Sequence, residues 1–483
     1  MIAPGARASY EFGMRSLRLI LLFAVAILGC AMEGWAAPNL APLFQDHAVL
    51  QCDKPVPIWG RAAPGEHVSV AFAGQTVGAT ADTDGRWIAI LAPLAANAAA
   101  ADLVVTGKTT VALHDIVVGE VWLCSGQSNM EFPVDGGTAR QVDNAPEEVA
   151  AASYPLIRQF KVARQVSATP METAQGDWQG CSPESVRAFT AVGYFFARDL
   201  YVRLNVPIGI VNCTCSGTPL ESWMSPMALG AFPGPADGQP AAGTTAAVNP
   251  GTPASLFNGM IHPLLPYAIR GVLWYQGESD VGRASDYTEH FPALISAWRA
   301  HFGEGDFPFF WVQLAGFAWP GKESGQLWAF LREAQSKALS LPATGQAIAI
   351  DIGEIGNVQP RNKQEVGRRL ALLAKAKVYS IPVDYSGPAF SRITIEGASV
   401  RVHFAFAGEG LTASGKPLQS FEAAGADHVF HSASAEIEGD TVLVESAEVR
   451  LPVAVRYAWR DAPEANLYNG AGLPAAPFRS DAW

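Results

Sequence analysis

Apolar runs of strand length alternate with helical patterns between residues 116 and 380, and this alternation restricts the possible fold more than any other feature. The apolar runs predict strands at residues 117–123, 208–213, 271–275, 309–313 and 346–350. The intervening patterns predict helices at residues 189–204, 287–301, 328–339 and 363–377. Helices between successive strands are typical of a parallel sheet, because parallel neighbours need a long crossover connection. The sequence therefore predicts an α/β fold for this part of the chain.

The segments on either side of this part are rich in predicted strands. Short apolar or alternating runs bounded by turn residues lie at residues 56–60, 68–72 and 87–91. Runs of the same kind return at residues 400–404, 441–444 and 453–457. We therefore expect a leader at 1–37, an N-terminal β-rich region at 38–115, an α/β domain at 116–380 and a C-terminal β-sandwich region at 381–483. The sequence leaves open whether the two β-rich regions form one sandwich.

The first 37 residues have the pattern of a secretory signal peptide. Two arginines precede the apolar run 19–28, and small residues follow it as far as Ala37. This pattern predicts export to the periplasm or the medium. Leu28 is large where lipoproteins carry a small residue, so we do not expect a lipid anchor at Cys30. No later stretch is apolar over about 18 residues, so we expect no transmembrane span.

The composition excludes some partners and favours others. A formal net charge of −12 disfavours nucleic acid, which is a polyanion. The 13 tryptophans suit a neutral ligand such as a carbohydrate, although we expect most of them in the core. Six cysteines include Cys30, and the five that remain after the leader have no zinc-binding spacing, so we expect neither a metal nor another cofactor. Their odd number predicts at least one free thiol or a disulfide to another chain.

Polar groups follow the ends of the predicted strands. Ser128 follows the first strand, Gly217 the second, Gln276 the third and Asp351 the fifth. Because the carboxyl ends of parallel strands share one edge of a sheet, we expect these groups to converge there. The start of a helix after Ser128 would favour an oxyanion, although Ser128 could also be an ordinary helix N-cap. Residues 230–253, rich in Gly, Pro, Ala and Thr, predict a surface loop beside this edge.

Four stretches together carry a family resemblance. They are residues 119–130 (GEVWLCSGQSNM), 216–223 (SGTPLESW), 274–280 (WYQGESD), and 456–459 with 466–478. In order and spacing they resemble the sialate O-acetylesterase family, carbohydrate esterases on the SGNH-hydrolase fold. The resemblance implies a three-layer α/β/α domain with a parallel sheet, flanked by β-sandwich regions. It also implies a serine carboxylic-ester hydrolase that acts on an acetylated carbohydrate.

The resemblance implies roles for the motif residues. Ser128 would be the nucleophile that attacks the acetyl carbonyl, and its own amide, Gly217 and Gln276 would hold the oxyanion. Donors that are fixed before the reaction each contribute roughly 10²–10³ in rate. Gln276 could alternatively make a structural hydrogen bond at the end of its strand.

Three further residues are expected at the substrate, and each has an alternative or supporting role. They are Asn129, Glu278 and Trp223. Glu278 could orient Gln276 or bind a substrate hydroxyl, and it could instead be a buried carboxylate paired with Arg332. A tryptophan such as Trp223 is more often a core residue than a surface that binds a sugar.

The family's general base is the feature that this sequence lacks. The family segment reads roughly Asp-x-His-Pro-x-Asn-Lys-Gln, and residues 357–364 read NVQPRNKQ. Gln359 therefore stands at the position of the His and Asn357 at that of the Asp. Losing the base of a serine hydrolase typically costs on the order of 10⁴–10⁶ in kcat. Asp351 or Glu354, at the same edge, could act as a substitute base or an orienting acid.

Two hypotheses follow from these observations. The first is an exported carbohydrate O-acetylesterase that forms an acetyl-enzyme at Ser128. The second is a catalytically impaired homologue that binds acetylated glycans. We expect His262 at the opposite end of the sheet and His290 and His301 on the outer face of a helix, so none of them replaces the base. The sequence leaves the oligomeric state open.

Overall fold

A computed structural model describes residues 38–138, 140–232, 247–321 and 324–483. The predicted leader at 1–37, with Cys30, and most of the predicted loop at 230–253 lie outside these residues. Within the described ranges, no helix combines the length and the apolar character needed to cross a membrane.

The N-terminal region is built from short strands with one buried face. The strands are β1 (Asn39–Leu40), β2 (Val49–Gln51), β3 (Val56–Arg61), β4 (His67–Phe72), β5 (Gln75–Thr80), β6 (Arg86–Leu91) and β7 (Asn97–Thr106). On β4 the side chains of Val68, Val70 and Phe72 are buried, as the alternating pattern predicts. Strands β1, β3 and β6 form an antiparallel sheet, while β4 pairs with β5 and β7.

One long strand, β8 (Thr110–Gly126), joins this region to the α/β domain. Its first part pairs with β7 in antiparallel orientation, and its middle pairs with β2 in parallel orientation. Its last part is the centre of the parallel sheet. The strand therefore runs across the expected boundary at residue 116, and the buried side chains on both sides of that boundary form one continuous core.

The remaining strands of this sheet are four that the sequence predicted and two that it did not predict. The two that it did not predict are β9 (Tyr154–Val162) and β10 (Gly176–Cys181), and the four predicted strands are β11 (Ile208–Thr214), β12 (Gly271–Tyr275), β13 (Phe309–Gln313) and β14 (Thr344–Ile348). The order across the sheet is β10-β9-β11-β8-β12-β13-β14, and all neighbours except β10 and β9 are parallel. The strand predicted at 346–350 lies two residues earlier, at Thr344–Ile348, and it ends there because the chain turns into a 3-10 helix at Ile350–Ile352.

Helices cover both faces of the sheet. They are α1 (Ser128–Glu131), α2 (Ala145–Ala150), α3 (Ala191–Leu204), α4 (Pro226–Leu229), α5 (Ala284–Phe302), α6 (Leu327–Lys337) and α7 (Lys363–Lys377). Helices α3 and α7 pack together on one face, and α5 and α6 pack together on the other. Side-chain caps from Thr190 and Asn362 begin α3 and α7. The layers are therefore α/β/α, as predicted.

The C-terminal region forms a separate sandwich. Its strands are β15 (Ala389–Glu396), β16 (Ser399–Ala405), β17 (Leu411–Thr412), β18 (Phe421–Ala424), β19 (Phe430–Ser432), β20 (Ser434–Glu438), β21 (Thr441–Glu445), β22 (Ala454–Tyr457), β23 (Tyr468–Asn469) and β24 (Phe478–Arg479). Two antiparallel sheets, β15-β16-β21-β20 and β19-β18-β22-β24, enclose a core that contains Val402, Val444, Tyr457 and Phe478. In the described residues no strand of this region pairs with the N-terminal strands, and its buried core is separate from theirs, so the two β-rich regions are not one sandwich.

The cysteines of the described chain carry no disulfide. Cys52, Cys124, Cys181, Cys213 and Cys215 are all free and buried. This confirms the prediction of at least one free thiol.

We expect Gly119→Ala to destabilise the junction in β8. A Cβ at Gly119 would lie 2.0 Å from the carbonyl oxygen of Pro207, which accepts the hydrogen bond of Glu120 N at 2.9 Å. The clash should lower the free energy of unfolding by about 2 kcal/mol or more. Urea unfolding measures it, with Gly282→Ala as the control, because a Cβ there has no atom within 4 Å. An equal loss in both variants would contradict the expectation.

Candidate active site

The register of the parallel strands brings three of the predicted groups to one edge. Gly126, near the end of β8, pairs with Thr214 of β11 on one side and with Tyr275 of β12 on the other. The loops that carry Ser128, Gly217 and Gln276 therefore leave the sheet side by side at the same level.

A tight turn sets the position of Ser128. Gly126 has φ of 127°, and a Cβ there would lie 2.2 Å from Tyr275 O. Gln127 N donates to the same carbonyl at 2.9 Å, so the turn is fixed against β12. Gln127, and not Ser128, is the N-cap of α1, which removes the N-cap alternative for Ser128. Ser128 is 9% exposed, and its hydroxyl has no hydrogen-bond partner among the described residues.

Asn129 ties the turn to two distant segments. Its Nδ2 donates to Glu278 Oε1 and, at 2.9 Å, to the carbonyl oxygen of Val358. Its Oδ1 accepts from Lys363 Nζ at the start of α7. Both amide hydrogens are thus used within the protein, and the residue is 1% exposed. The Asn129 side chain is therefore not free to make the substrate contact that we expected. It holds the segment that leads to Gln359 beside Ser128 instead.

Of the two ionisable partners of Asn129, Lys363 is fully buried, and Glu278 is half-buried with its Oε2 atom inside the protein. Burial raises the pKa of Glu278, although the hydrogen bond from Asn129 opposes this rise. Burial lowers the pKa of Lys363 to about 7, and its ammonium group lies over the rings of Phe132 and Tyr275. Glu278 Oε2 is buried without a hydrogen-bond partner in the described structure. One carboxylate oxygen of Glu278, Oε1, thus accepts a hydrogen bond from the protein. The other, Oε2, has no donor among the described residues.

Gln276 is held by a carboxylate that sequence reasoning did not single out. Its Nε2 donates to Thr218 O at 3.1 Å and to Asp280, and its Oε1 is buried without a partner in the described structure. Asp280 also accepts from Leu220 N at 3.0 Å and from Arg283. Burial raises the pKa of Asp280 to about 6. Asp280 therefore couples the Gln276 side chain to the loop after β11, and its place in WYQGESD was the available signal.

The loop after β11 presents a free amide. Gly217 has φ of 70° and is exposed, and its N–H has no acceptor among the described residues. Glu131 of α1 fixes the loop, because its Oε2 accepts from Ser216 N at 3.0 Å and from the Ser216 hydroxyl. The Gly217 N–H is thus free to bind an anion, on a loop anchored to the helix that begins with Ser128.

The segment at the family's base position is organised by Glu354. Its Oε2 accepts from Asn357 Nδ2 at 3.1 Å and its Oε1 from Arg361 N at 2.6 Å. Asn357 Oδ1 in turn accepts from Gln359 N at 3.0 Å. Although burial opposes the change, these hydrogen bonds and the charge of Arg361 lower the pKa of Glu354. The Gln359 carboxamide has no hydrogen-bond partner in the described part of the chain.

Asp351, the tentative base, is bound to an arginine. Arg369 Nη1 lies 2.7 Å from one carboxylate oxygen of Asp351, and Nη2 lies 2.8 Å from the other. Both side chains are largely buried, at 7% and 5% exposure. This two-pronged pairing ties the turn after β14 to α7 and engages both carboxylate oxygens of Asp351.

Two expected contacts of aromatic and basic side chains are different in the structure. Trp223 is 0% exposed and donates from Nε1 to Thr218 Oγ1 at 3.0 Å, so its indole is a core group without a face for substrate. Arg332 donates only to backbone carbonyls, including that of Leu314 at 2.8 Å, and does not pair with Glu278. Trp223 therefore has the core role that the sequence favoured over a sugar contact, and the alternative pairing of Glu278 with Arg332 is not formed.

The histidines named above lie away from Ser128, but two of them are not on an outer surface. His262 Nδ1 contacts Met171 O at 2.7 Å. His290, at 15% side-chain exposure, contacts Glu221 at 3.2 Å, and His301 Nε2 is buried. The expectation that His290 and His301 face outward was therefore wrong, because α5 packs this side against neighbouring loops.

One group of side chains in the described residues is close enough to hold a metal ion. It consists of Cys52, Asp53 and Glu120. Glu120 lies at the end of the β8–β11 pairing opposite Ser128, and Arg270 binds its carboxylate through both Nε and Nη2. This arginine supplies the positive charge that a metal ion would otherwise bring.

We expect Lys363→Met to change the pH dependence of stability. Because burial lowers the pKa of Lys363, the folded protein binds fewer protons than the unfolded chain above about pH 7, and wild-type stability should rise with pH relative to the variant. The relative gain from about pH 7 to about pH 9 should be roughly 1–2 kcal/mol. Urea unfolding under reducing conditions measures it, with exposed Lys416→Met as the control. A constant difference would contradict the burial of a titrating Lys363.

Comparisons with known proteins agree with this arrangement. Residues 118–373 match the family described as carbohydrate esterase, sialic acid-specific acetylesterase. Human sialate O-acetylesterase is 31% identical over 475 residues, which cover 87% of this chain and 88% of the human protein. A crystal structure of a carbohydrate acetylesterase from Xanthomonas citri is 42% identical, with a TM-score of 0.85, and covers 92% of this chain and 100% of that chain. The chain therefore belongs to the sialic acid-specific acetylesterase family of carbohydrate esterases, and its α/β/α domain has the SGNH-type fold.

Proposed function

We propose that this chain is an exported carbohydrate O-acetylesterase with Ser128 as its nucleophile. The observation that carries the proposal is the Ser128 hydroxyl, which follows β8 at the carboxyl edge of the sheet and has no hydrogen-bond partner among the described residues. The free N–H of Gly217 on the neighbouring loop and the leader pattern at 1–37 support it. The substrate is an acetyl ester on a sugar such as sialic acid or a xylan-type polysaccharide.

The reaction begins with a bond between Ser128 Oγ and the acetyl carbonyl carbon. The carbonyl oxygen becomes an oxyanion, which the N–H groups of Ser128 and Gly217 stabilise. Gln276, held by Asp280, moves one of its N–H bonds from Thr218 O to this oxygen. The bond between the carbonyl carbon and the sugar oxygen then breaks, and the proton lost by Ser128 Oγ ends on that oxygen, so the sugar leaves as an alcohol. Water next adds to the acetyl ester on Ser128, its bond to Oγ breaks, and acetic acid is released as the Ser128 hydroxyl is restored.

The rate of this reaction depends on which group accepts the proton of Ser128 Oγ. Gln359 and Asn357 carry carboxamides at the family's His and Asp positions, and a carboxamide does not accept a proton near neutral pH. The carboxylates of Asp351 and Glu354 are bound to other groups. These observations favour a second candidate function, a catalytically impaired member that binds acetylated glycans and turns them over slowly.

We expect Gln359→His to raise kcat on p-nitrophenyl acetate at least about tenfold, because it restores part of what a missing base costs. Ser128→Ala is the matched control and should abolish turnover in both backgrounds. Equal rates for wild type and Ser128→Ala would reject the esterase proposal and leave the glycan-binding candidate. If wild type exceeds Ser128→Ala and Gln359→His gains nothing, another base acts and the impaired candidate is wrong.

Restoring the acid at residue 357 should require a second change. Asn357 Nδ2 donates to Glu354 Oε2, so Asn357→Asp alone places two carboxylates in contact, and like charges at this distance repel. We expect Asn357→Asp to lower both the melting temperature and the kcat of Gln359→His, and Glu354→Gln to recover both in the triple variant. If Asn357→Asp raises kcat while Glu354 is unchanged, this contact does not restrict the site.

A further inference from the structure

Two large apolar side chains stand exposed at the edge of the sheet that carries the candidate site. Trp319, on the loop after β13, is 64% exposed, and Ile355, on the loop after β14, is also 64% exposed. No other tryptophan of the described residues is as exposed, whereas most of them are buried in the core. We call Trp319 and Ile355 together the rim platform.

The loops that carry the rim platform are packed against each other. Gly356 N donates to the carbonyl oxygen of Ala318 at 2.9 Å. A Cβ at Gly353 would lie 2.1 Å from Gly316 O, so the two backbones are in direct contact there. The ring of Phe317, 8% exposed, meets Trp319 edge-on with centroids 5.2 Å apart. The indole therefore packs against a largely buried ring, on a loop whose backbone is held by its neighbour.

The rim platform is continuous with the candidate active site. Ile355 lies between Glu354 and Gly356, and Glu354 holds Asn357 through the 3.1 Å hydrogen bond described above. The same segment continues to Val358, whose carbonyl oxygen accepts from Asn129 beside Ser128. Ile355 is thus three positions from Val358, so the platform is carried by the segment that Asn129 holds beside Ser128.

The chemistry of the platform fits a sugar ring. A pyranose presents C–H groups on its faces and hydroxyl groups on its edge, so an aromatic surface binds the face while the edge stays in water. Two side chains cover about the area of one ring, far less than the roughly 800 Å² per partner that a stable protein interface buries. Arg361, at 52% side-chain exposure, stands on the same segment and can donate to ring hydroxyls.

We propose that the rim platform binds the sugar next to the acetylated one, so that the ligand is an acetylated oligosaccharide and not a lone acetylated sugar. This inference rests on the proposed function, because Ser128 defines where the acetyl group lies. Trp319 stacks on the face of the neighbouring ring, and Ile355 covers the adjoining edge of the same face.

Kinetics with two substrates test the proposal. The probes are O-acetylated xylo-oligosaccharides and p-nitrophenyl acetate. Trp319→Ala should raise KM for the oligosaccharides about 3- to 10-fold more than for the small ester, the range expected for loss of one aromatic stack. Trp319→Phe should keep most of the preference. Trp483→Ala is the matched control, because this tryptophan is also exposed, at 45%, but stacks on His428 in the C-terminal sandwich.

Binding to Ser128→Ala separates this inference from the proposed function. Calorimetry with the same oligosaccharides and with 9-O-acetylated sialic acid needs no turnover. Tighter oligosaccharide binding that falls with Trp319→Ala supports the platform even if the wild type does not hydrolyse esters. Equal binding of oligosaccharide and monosaccharide, or equal effects of Trp319→Ala and Trp483→Ala, overturns it. A change of oligomeric state in Trp319→Ala, seen by sedimentation, also overturns it, because the patch would then be an interface between copies.

Discussion

The pairing of β8 with its neighbours is the constraint on which the rest of the structure depends. Its first part pairs with β7 of the N-terminal region, and its last part is hydrogen-bonded to β11 and β12. One strand therefore fixes the N-terminal region against the α/β domain and sets the level at which the site loops leave the sheet. A change of register by one residue would turn its buried side chains to the opposite face.

Asn129, Glu278 and Lys363 form a hydrogen-bonded group, which we call the Asn129 cluster. The cluster positions the segments around it and does not stabilise the fold. Burying Glu278 and Lys363 costs desolvation energy, and replacing such groups by apolar side chains is often neutral or stabilising. The cluster instead fixes the relative orientation of the two segments that it joins. The amide of Asn129 has two donors and an acceptor in fixed geometry, so it holds the β12 loop and the segment before Gln359 in one arrangement.

The sequence predicted the elements better than the side-chain contacts. β12, β13 and α7 have the predicted bounds, because their apolar patterns end at clear turn or capping residues. The extension of β8 back to Thr110 was missed, since that part alternates in burial like the separate strands before it. The Asn129 contacts join residues 229 and 234 positions apart, which no local pattern encodes. Burial of Trp223 likewise depends on the packing of α5.

The hydrogen bond between Asn357 and Glu354 affects which substitutions this loop can accept. The side chain at residue 357 accepts from Gln359 N and donates to Glu354. An amide can do both, whereas an ionised acid cannot donate and is disfavoured there. If an acid replaces Asn357 while Glu354 is present, two negative charges come together, so the effect of that acid depends on the residue at position 354. We therefore expect substitutions at the two positions to be coupled and not additive, and the order in which they are made to matter as much as their identity.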